Sequence, residues 1–252
     1  MDFEIRDGVL IKYHGNDTNV TIPYSVKSIG NDAFSGCTKL QSIMILDGVT
    51  SIGKGAFCNC PGFTSITIPN RVTSIGDDAF QGCTSLTSII IHDSVTNIGW
   101  YAFYGCTSLK SIKIPNSVTY IGDSAFSNCK SLQSIIIPNR VMSIRMYTFK
   151  DCISLESITI PNSITSIGEE AFSNCTSLTS IEIPDSVMSI DGCAFCDCKN
   201  LVNIKISDSV KSIGDSAFDG CTSLTSVTLP DGVQLGEGVF ANCPNLKKII
   251  YI

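Results

Sequence analysis

Cysteine is the most reactive side chain in this 252-residue sequence, and ten of its thirteen cysteines keep a beat. Cys37, Cys60, Cys83, Cys106, Cys129, Cys152, Cys175, Cys198 and Cys221 step by 23 residues. Cys243 arrives one residue early, because Val233-Gln234-Leu235-Gly236 is one shorter than Val210-Lys211-Ser212-Ile213-Gly214. Even spacing invites a disulfide reading. Yet each of these thiols follows a phenylalanine by three residues, in an equivalent slot, and pairing them would break the repeat. Free cysteine packs comfortably as a small apolar residue, so buried free thiols are expected. Cys58, Cys193 and Cys196 lie off the beat. Cys58 and Cys196 share a column but stand six repeats apart, about 29 Å at ~4.8 Å per strand, too far to bond. Cys193-x-x-Cys196-x-Cys198 brings two thiolates near one zinc ion, as metal sites do. Asp191 and Asp197 are close, but no fourth ligand is evident and Cys198 belongs to the regular set. No metal and no cofactor are expected.

The inventory for catalysis is thin. Two histidines, His14 and His92, are separated by some four repeats. Ser65, Ser88, Ser111, Ser134, Ser157 and Ser180 form a column with no local base or acid to activate them. Asp77-Asp78 and Glu169-Glu170 sit beside loop glycines as solvated acids, and Ile-Gly-Asp is a recurring turn with no phosphate-binding loop around it. Asn16, Asn19 and Asn174 fall in N-x-Ser/Thr triplets that a Ser/Thr-rich repeat produces by chance. No enzymatic activity is expected.

Behind these residues stands one unit: Ile114-Pro115-Asn116-Ser117-Val118-Thr119-Tyr120-Ile121-Gly122-Asp123-Ser124-Ala125-Phe126-Ser127-Asn128-Cys129, closing with Leu132-Gln133-Ser134-Ile135. A fixed period of this length marks a solenoid, whose units pack only against their neighbours. About ten units are present. Leu109-Lys110-Ser111-Ile112-Lys113-Ile114-Pro115 alternates like a half-buried strand with a breaker at its end. Asn116-Ser117 makes a turn. Val118-Thr119-Tyr120-Ile121-Gly122 reads as a second, shorter strand. The Ala-Phe-x-x-Cys piece is too short for a stable helix and is read as one helical or 3₁₀ turn.

The string Leu109-x-x-Ile112-x-Ile114-Pro115, then Ser117-Val118-x-x-Ile121-Gly122-x-x-Ala125-Phe126-x-x-Cys129, resembles the BspA-type leucine-rich repeat, also called the Treponema-type repeat. The resemblance spans roughly residues 17–250. It implies an α/β leucine-rich-repeat solenoid, a right-handed superhelix of about ten 23-residue rungs, mostly β with short helical or 3₁₀ turns, its parallel sheet on the concave side. It further implies a surface or secreted location, protein binding or adhesion, and no catalytic residues. Carriage of another element as a structural spacer is the alternative role.

Composition agrees with a folded, protein-facing chain. Hydrophobic residues make up 43% and charged residues 16%, which excludes disorder. With 17 basic and 23 acidic side chains, the net charge of −6 offers no footprint for nucleic acid or an anionic membrane. No apolar run approaches the ~20 residues of a membrane span. The start, Met1-Asp2-Phe3-Glu4-Ile5, does not read as a secretory signal, so a cytoplasmic location stays open. Residues 1–16 are expected as a β-hairpin cap about Asp7-Gly8, with the solenoid over 17–252. At the other end Leu246-Lys247-Lys248-Ile249-Ile250-Tyr251-Ile252 stops on a strand, which implies either a longer protein or an edge that docks a partner or a second copy.

Two surfaces are candidates for a protein partner. Alternation places Met44, Thr67, Ile90, Lys113, Ile136, Thr159, Glu182 and Lys205 outward on the concave sheet, beside the serine column. The second candidate is where the repeat is violated. Trp100 and Tyr101 follow Gly99 where other units carry polar pairs, Tyr104 follows core Phe103, and Tyr120 replaces the usual Ser. One unit later Arg145 replaces glycine, with Met146-Tyr147 after it. Such a cluster has the composition of an interface hot spot. Alternatively, its rings lie flat over a groove widened by the loss of glycine at Arg145.

Overall fold

The alternating Leu-x-x-Ile-x-Ile segments and the short Ser-Ile pairs stack into two columns of parallel strands. The structure, a computed structural model, describes residues 2–252. Pairing in both columns keeps the repeat register, as in Ser65↔Ser88, Ile66↔Ile89 and Thr67↔Ile90 of the first column and Ser166↔Ser189 and Ile167↔Ile190 of the second. In the first column Ile66, Ile89 and Ile135 point inward while their neighbours point out, as a two-residue period requires.

The amino-terminal hairpin is built into this stack. Strand β1 (Phe3–Arg6) pairs antiparallel with β2 (Val9–Tyr13) about Asp7-Gly8, both of which have positive φ. Strand β2 then runs parallel to Ser28–Ile29, with Leu10 opposite Ile29. The Tyr13 ring lies 5.2 Å from Phe34, and its N–H donates to the Ala33 carbonyl at 2.9 Å. The hairpin therefore supplies an extra turn, giving about eleven where the repeat count suggested ten.

The Ala-Phe-x-x-Cys piece differs from expectation. No helix occurs among the described residues, so the fold is a β-solenoid and the α/β class with helical or 3₁₀ turns is corrected. The backbone explains why. Two residues per rung take left-handed φ, as do Ser124 (φ 56) and Asn128 (φ 61) in one rung. The position before each ladder cysteine is always Gly, Asn or Asp, the residues that tolerate this conformation best. Alternate N–H groups then leave the rung: Ser124, Phe126 and Asn128 donate to the carbonyls of Met146, Thr148 and Lys150 at 2.9, 3.0 and 2.7 Å. A helix would spend those donors within its own chain. Here they make a third inter-rung ladder.

The core between the columns is a file of aromatic rings. Phe34, Phe57, Phe80, Phe103, Phe126, Phe149, Phe172, Phe195 and Phe218 are fully buried, and neighbouring centroids lie 5.1 to 5.7 Å apart. All thirteen cysteines are free. Eight are buried, and the thiols of Cys60 through Cys221 each donate to the phenylalanine carbonyl of the preceding rung at 3.1 to 3.2 Å, as Cys129 does to Phe103.

The second column breaks once, between Tyr120–Ile121 and Ser143–Ile144. Each residue after this strand is normally glycine because the next backbone is too close. A Cβ on Gly168 would sit 2.8 Å from the carbonyl carbon of Arg145. Arg145 brings a Cβ to that slot, and Thr148 brings a larger side chain to the alanine slot three residues on. The rungs part there, and the Phe126–Phe149 separation of 5.7 Å is the widest in the phenylalanine file.

Two outcomes follow from this packing. Phe126→Ala should lower unfolding free energy by about 3–5 kcal/mol in urea titration, and Cys129→Ala by less. Burial pushes the ladder thiols up, Cys60 to about 12, whereas an unfolded thiol ionises near ~8.5. The unfolded chain sheds these protons first, so the thiol contribution is intact below about pH 8.5 and declines as pH rises beyond it. Urea midpoints at neutral and alkaline pH should show that decline, and reductant should leave the neutral midpoint unchanged.

Candidate binding surfaces

The outward positions of the first column lie where alternation put them. Met44, Ile90 and Ile136 are 60%, 56% and 69% exposed. Thr67, Lys113, Thr159, Glu182 and Lys205 are exposed beside them. Between Met44, Thr67 and Ile90 and the flanking Ser42, Ser65 and Ser88 runs a shallow depression of about 390 Å³. Threonine hydroxyls on the near edge donate to carbonyls one rung back, as Thr87 does to Thr64 at 3.1 Å, and so stiffen the rim.

The violated rungs resolve into two clusters. In the first, Trp100 Nε1 donates to the Tyr120 hydroxyl at 2.6 Å, and its ring lies over Gly122, whose added Cβ would meet Trp100 Cδ1 at 2.5 Å. Arg145 stacks its guanidinium 5.3 Å from the Tyr120 centroid while its Nε donates to Asp123 at 2.6 Å. Asp123 beside it raises the Arg145 pKa further, the hydrogen bond being the chief cause. These groups satisfy one another across three rungs. The second cluster sits on the turn column: Tyr101 meets Tyr104 edge-on at 5.8 Å, and Lys150 lies 5.2 Å over Tyr147 while paired with Glu170. Met146 is 38% exposed between the two.

Beyond the Arg145 cluster, a groove of about 890 Å³ follows the second column toward Gln234. Gly168, Gly214 and Gly236 form its floor, and Glu169, Asp191 and Asp215 give it negative charge. Asp191 stands in a glycine slot, and burial pushes its carboxyl pKa up. Asp215 is committed to structure, its Oδ1 accepting the Glu237 N–H at 2.7 Å, as Asp77 accepts that of Trp100 at 2.8 Å. Column-by-column reading missed this groove and the roles of Asp123, Lys150 and Glu170. The available signal was the pair of interruptions, Arg145 and Asp191, in the glycine column.

Metal-binding geometry is absent among the described residues, where no three His, Cys, Asp or Glu side chains converge. The third thiol of the Cys193-x-x-Cys196-x-Cys198 motif is occupied in the core, donating to the Phe172 carbonyl at 3.2 Å. No helix of the described residues is long and apolar enough to cross a membrane.

The model of the BspA type leucine rich repeat region matches residues 10–132, 50–175 and 142–252. A leucine-rich repeat protein from Bacteroides ovatus is 34% identical, with 97% of this chain and 71% of that one aligned at a TM-score of 0.73. A leucine rich cell surface protein from Faecalibacterium prausnitzii is 29% identical over 96% of this chain and 90% of its own, at 0.56. The pneumococcal vaccine antigen PcpA shares the fold at 20% identity, 93% and 68% coverage and 0.58. No curated protein sequence matches the chain significantly.

The interlock over Gly122 has a direct test. Gly122→Ala should force Trp100 off its seat, because the new methyl also meets backbone at 2.6 and 2.7 Å. The cost should be on the order of 1–3 kcal/mol, with a red shift in the emission of Trp100, the sole tryptophan. An unchanged spectrum would mean that the ring is not packed there.

Proposed function

The chain belongs to the BspA-type leucine-rich repeat family, and on that premise we propose that it is a non-catalytic scaffold that binds protein partners as part of a cell-surface or secreted protein. One observation carries the reading. Met44, Ile90 and Ile136 stand more than half exposed on a serine-floored sheet, apolar side chains set among polar ones as at a protein contact surface. The face is broad and shallow, which suits a protein surface better than an enclosed small molecule. Thr67, Lys113, Thr159, Glu182 and Lys205 supply the mixed polar and charged rim that sets specificity.

The second candidate surface is secondary in this reading. Trp100, Tyr120 and Arg145 are engaged with one another, but Trp100 stays 48% exposed and with Tyr101 and Met146 forms the contactable part of the flank, Tyr104 and Tyr147 being half-buried beside them. Self-association through the strand Lys248–Tyr251, where Ile249 and Tyr251 are 43% and 54% exposed, is a further part of the proposal. The nearly uniform serine column, interrupted by Asn19, Asn203 and Lys248, supports the alternative role of a spacer. Nucleic acid and membrane insertion are not part of the proposal.

The test uses the full chain immobilised at neutral pH and a detergent-free extract of cell-surface proteins. Saturable retention by the parent, reduced at least tenfold in Ile90→Glu/Ile136→Glu with an unchanged melting temperature, is the expected result. Equal retention by the variant would remove the sheet face from the proposal. If the parent retains nothing, the spacer role stands.

A further inference from the structure

Five thiols are half-buried, and two of them, Cys193 and Cys196, share one turn. The turn is closed by the Cys196 N–H donating to the Cys193 carbonyl at 3.0 Å, with Cys193 at φ 53. Other rungs show which way these two positions point. Tyr101 and Tyr104 occupy them one way and touch at 5.8 Å; Tyr147 and Lys150 occupy them another and touch at 5.2 Å. Side chains there face each other across the turn, and Cys193 and Cys196 occupy the same two facing positions. A turn of this kind keeps its end Cα atoms within about 7 Å, in line with the ~4.4–6.8 Å that a disulfide spans.

We propose that Cys193 and Cys196 form a reversible disulfide within the turn by exchange with a low-molecular-weight disulfide, making this rung a redox-modification site. The Cys193 thiolate attacks one sulfur of RS–SR, the S–S bond breaks, and RS⁻ leaves, taking up the proton that Cys193 gave away. Cys196 then loses its proton and attacks the Cys193 sulfur of the mixed disulfide, expelling the second RSH. Two thiol protons and two electrons leave the protein, and one RS–SR becomes two RSH.

Neighbouring features narrow the chemistry to this pair. Zinc needs four ligands, and Cys198, the nearest further thiol, is held in the core by the Phe172 carbonyl. The eight ladder thiols from Cys60 to Cys221 are buried donors, and the two half-buried ones, Cys37 and Cys243, stand at opposite ends of the ladder. Cys58 shares its turn with Gly55, so it has no partner. Burial and the charge of Asp197 push Cys196 up to about 12, and burial with Glu170 raises Cys193. Cys193 is therefore the first attacker, and exchange speeds up as pH rises above neutral rather than levelling off there.

The experiment incubates the native full chain with glutathione disulfide, quenches in acid, alkylates in denaturant and maps cysteines by mass spectrometry. Free thiols should fall from thirteen to eleven, with the loss of two hydrogens confined to the peptide holding Cys193 and Cys196. Cys193→Ser and Cys196→Ser should each stop at one glutathione adduct on the remaining cysteine. Serine occupies these columns in other rungs, at Ser124 and Ser127, so both variants should fold. Thirteen thiols remaining, a stable adduct on the parent without ring closure, or the same loss in the Cys193→Ser/Cys196→Ser double variant would overturn the proposal.

Discussion

Everything in this molecule depends on satisfying backbone groups that point along the stack. A rung of 23 residues leaves N–H and C=O groups on both faces, and burying them unpaired would cost more than the side chains return. Three ladders meet that demand: two of strands and one of turns. The turn ladder is the most exacting, since it needs residues such as Asn128 in left-handed backbone to aim alternate donors at the next rung. Once rungs are held at strand spacing, about 4.8 Å, the side-chain rules follow. Phenylalanine rings must stack nearly parallel, at 2° between Phe195 and Phe218. Slots such as Gly168 leave an added Cβ within 2.8 Å of the neighbouring backbone, and only Arg145 and Asp191 fill one. Each ladder thiol from Cys60 to Cys243 reaches the phenylalanine carbonyl one rung back.

That dependence explains which features were legible in the sequence. Ile112 and Ile114 inward with Lys113 outward is a two-residue alternation, and it reads directly. The free thiols read equally well, because ten equivalent slots leave no room for pairing. The turn was misread as helical because its composition was weighed by length alone. The Gly, Asn or Asp before every ladder cysteine was the better guide, since it marks left-handed backbone. The hairpin was recognised, but its second strand joins the stack in register, a long-range pairing that local pattern does not reveal.

The candidate surfaces divide along the same line. Exposure of Met44, Ile90 and Ile136 follows from alternation within one strand. The Trp100 cluster does not, because its contacts run diagonally: Trp100 leans onto the next rung's Gly122 and bonds Tyr120. A column-by-column reading compares residues with their equivalents 23 positions away. It places Trp100 beside Asp77 and Asp123 and sees only an outlier.

The diagonal contacts matter because a solenoid is coupled only through nearest neighbours. Between Tyr120–Ile121 and Ser143–Ile144 the second ladder is missing. The turn ladder still crosses there, from Ser124 to Met146 and from Phe126 to Thr148. The bond from Arg145 to Asp123 and its stacking on Tyr120 cross the same gap from outside. Asp191 fills the same kind of slot with its ladder bond intact and Ala194 after it. The opening therefore goes with Arg145 and Thr148 together, and Arg145 straps it with its own side chain. Its planar fork can hold a carboxylate and lie on a ring at once, which a lysine ammonium cannot do in the same way. The Thr148 hydroxyl donates to the Arg145 carbonyl at 2.8 Å, beside the Thr148 N–H that reaches the same oxygen at 3.3 Å. A violation of the repeat is therefore accommodated by residues that themselves violate it, and the acidic groove begins where that strap ends.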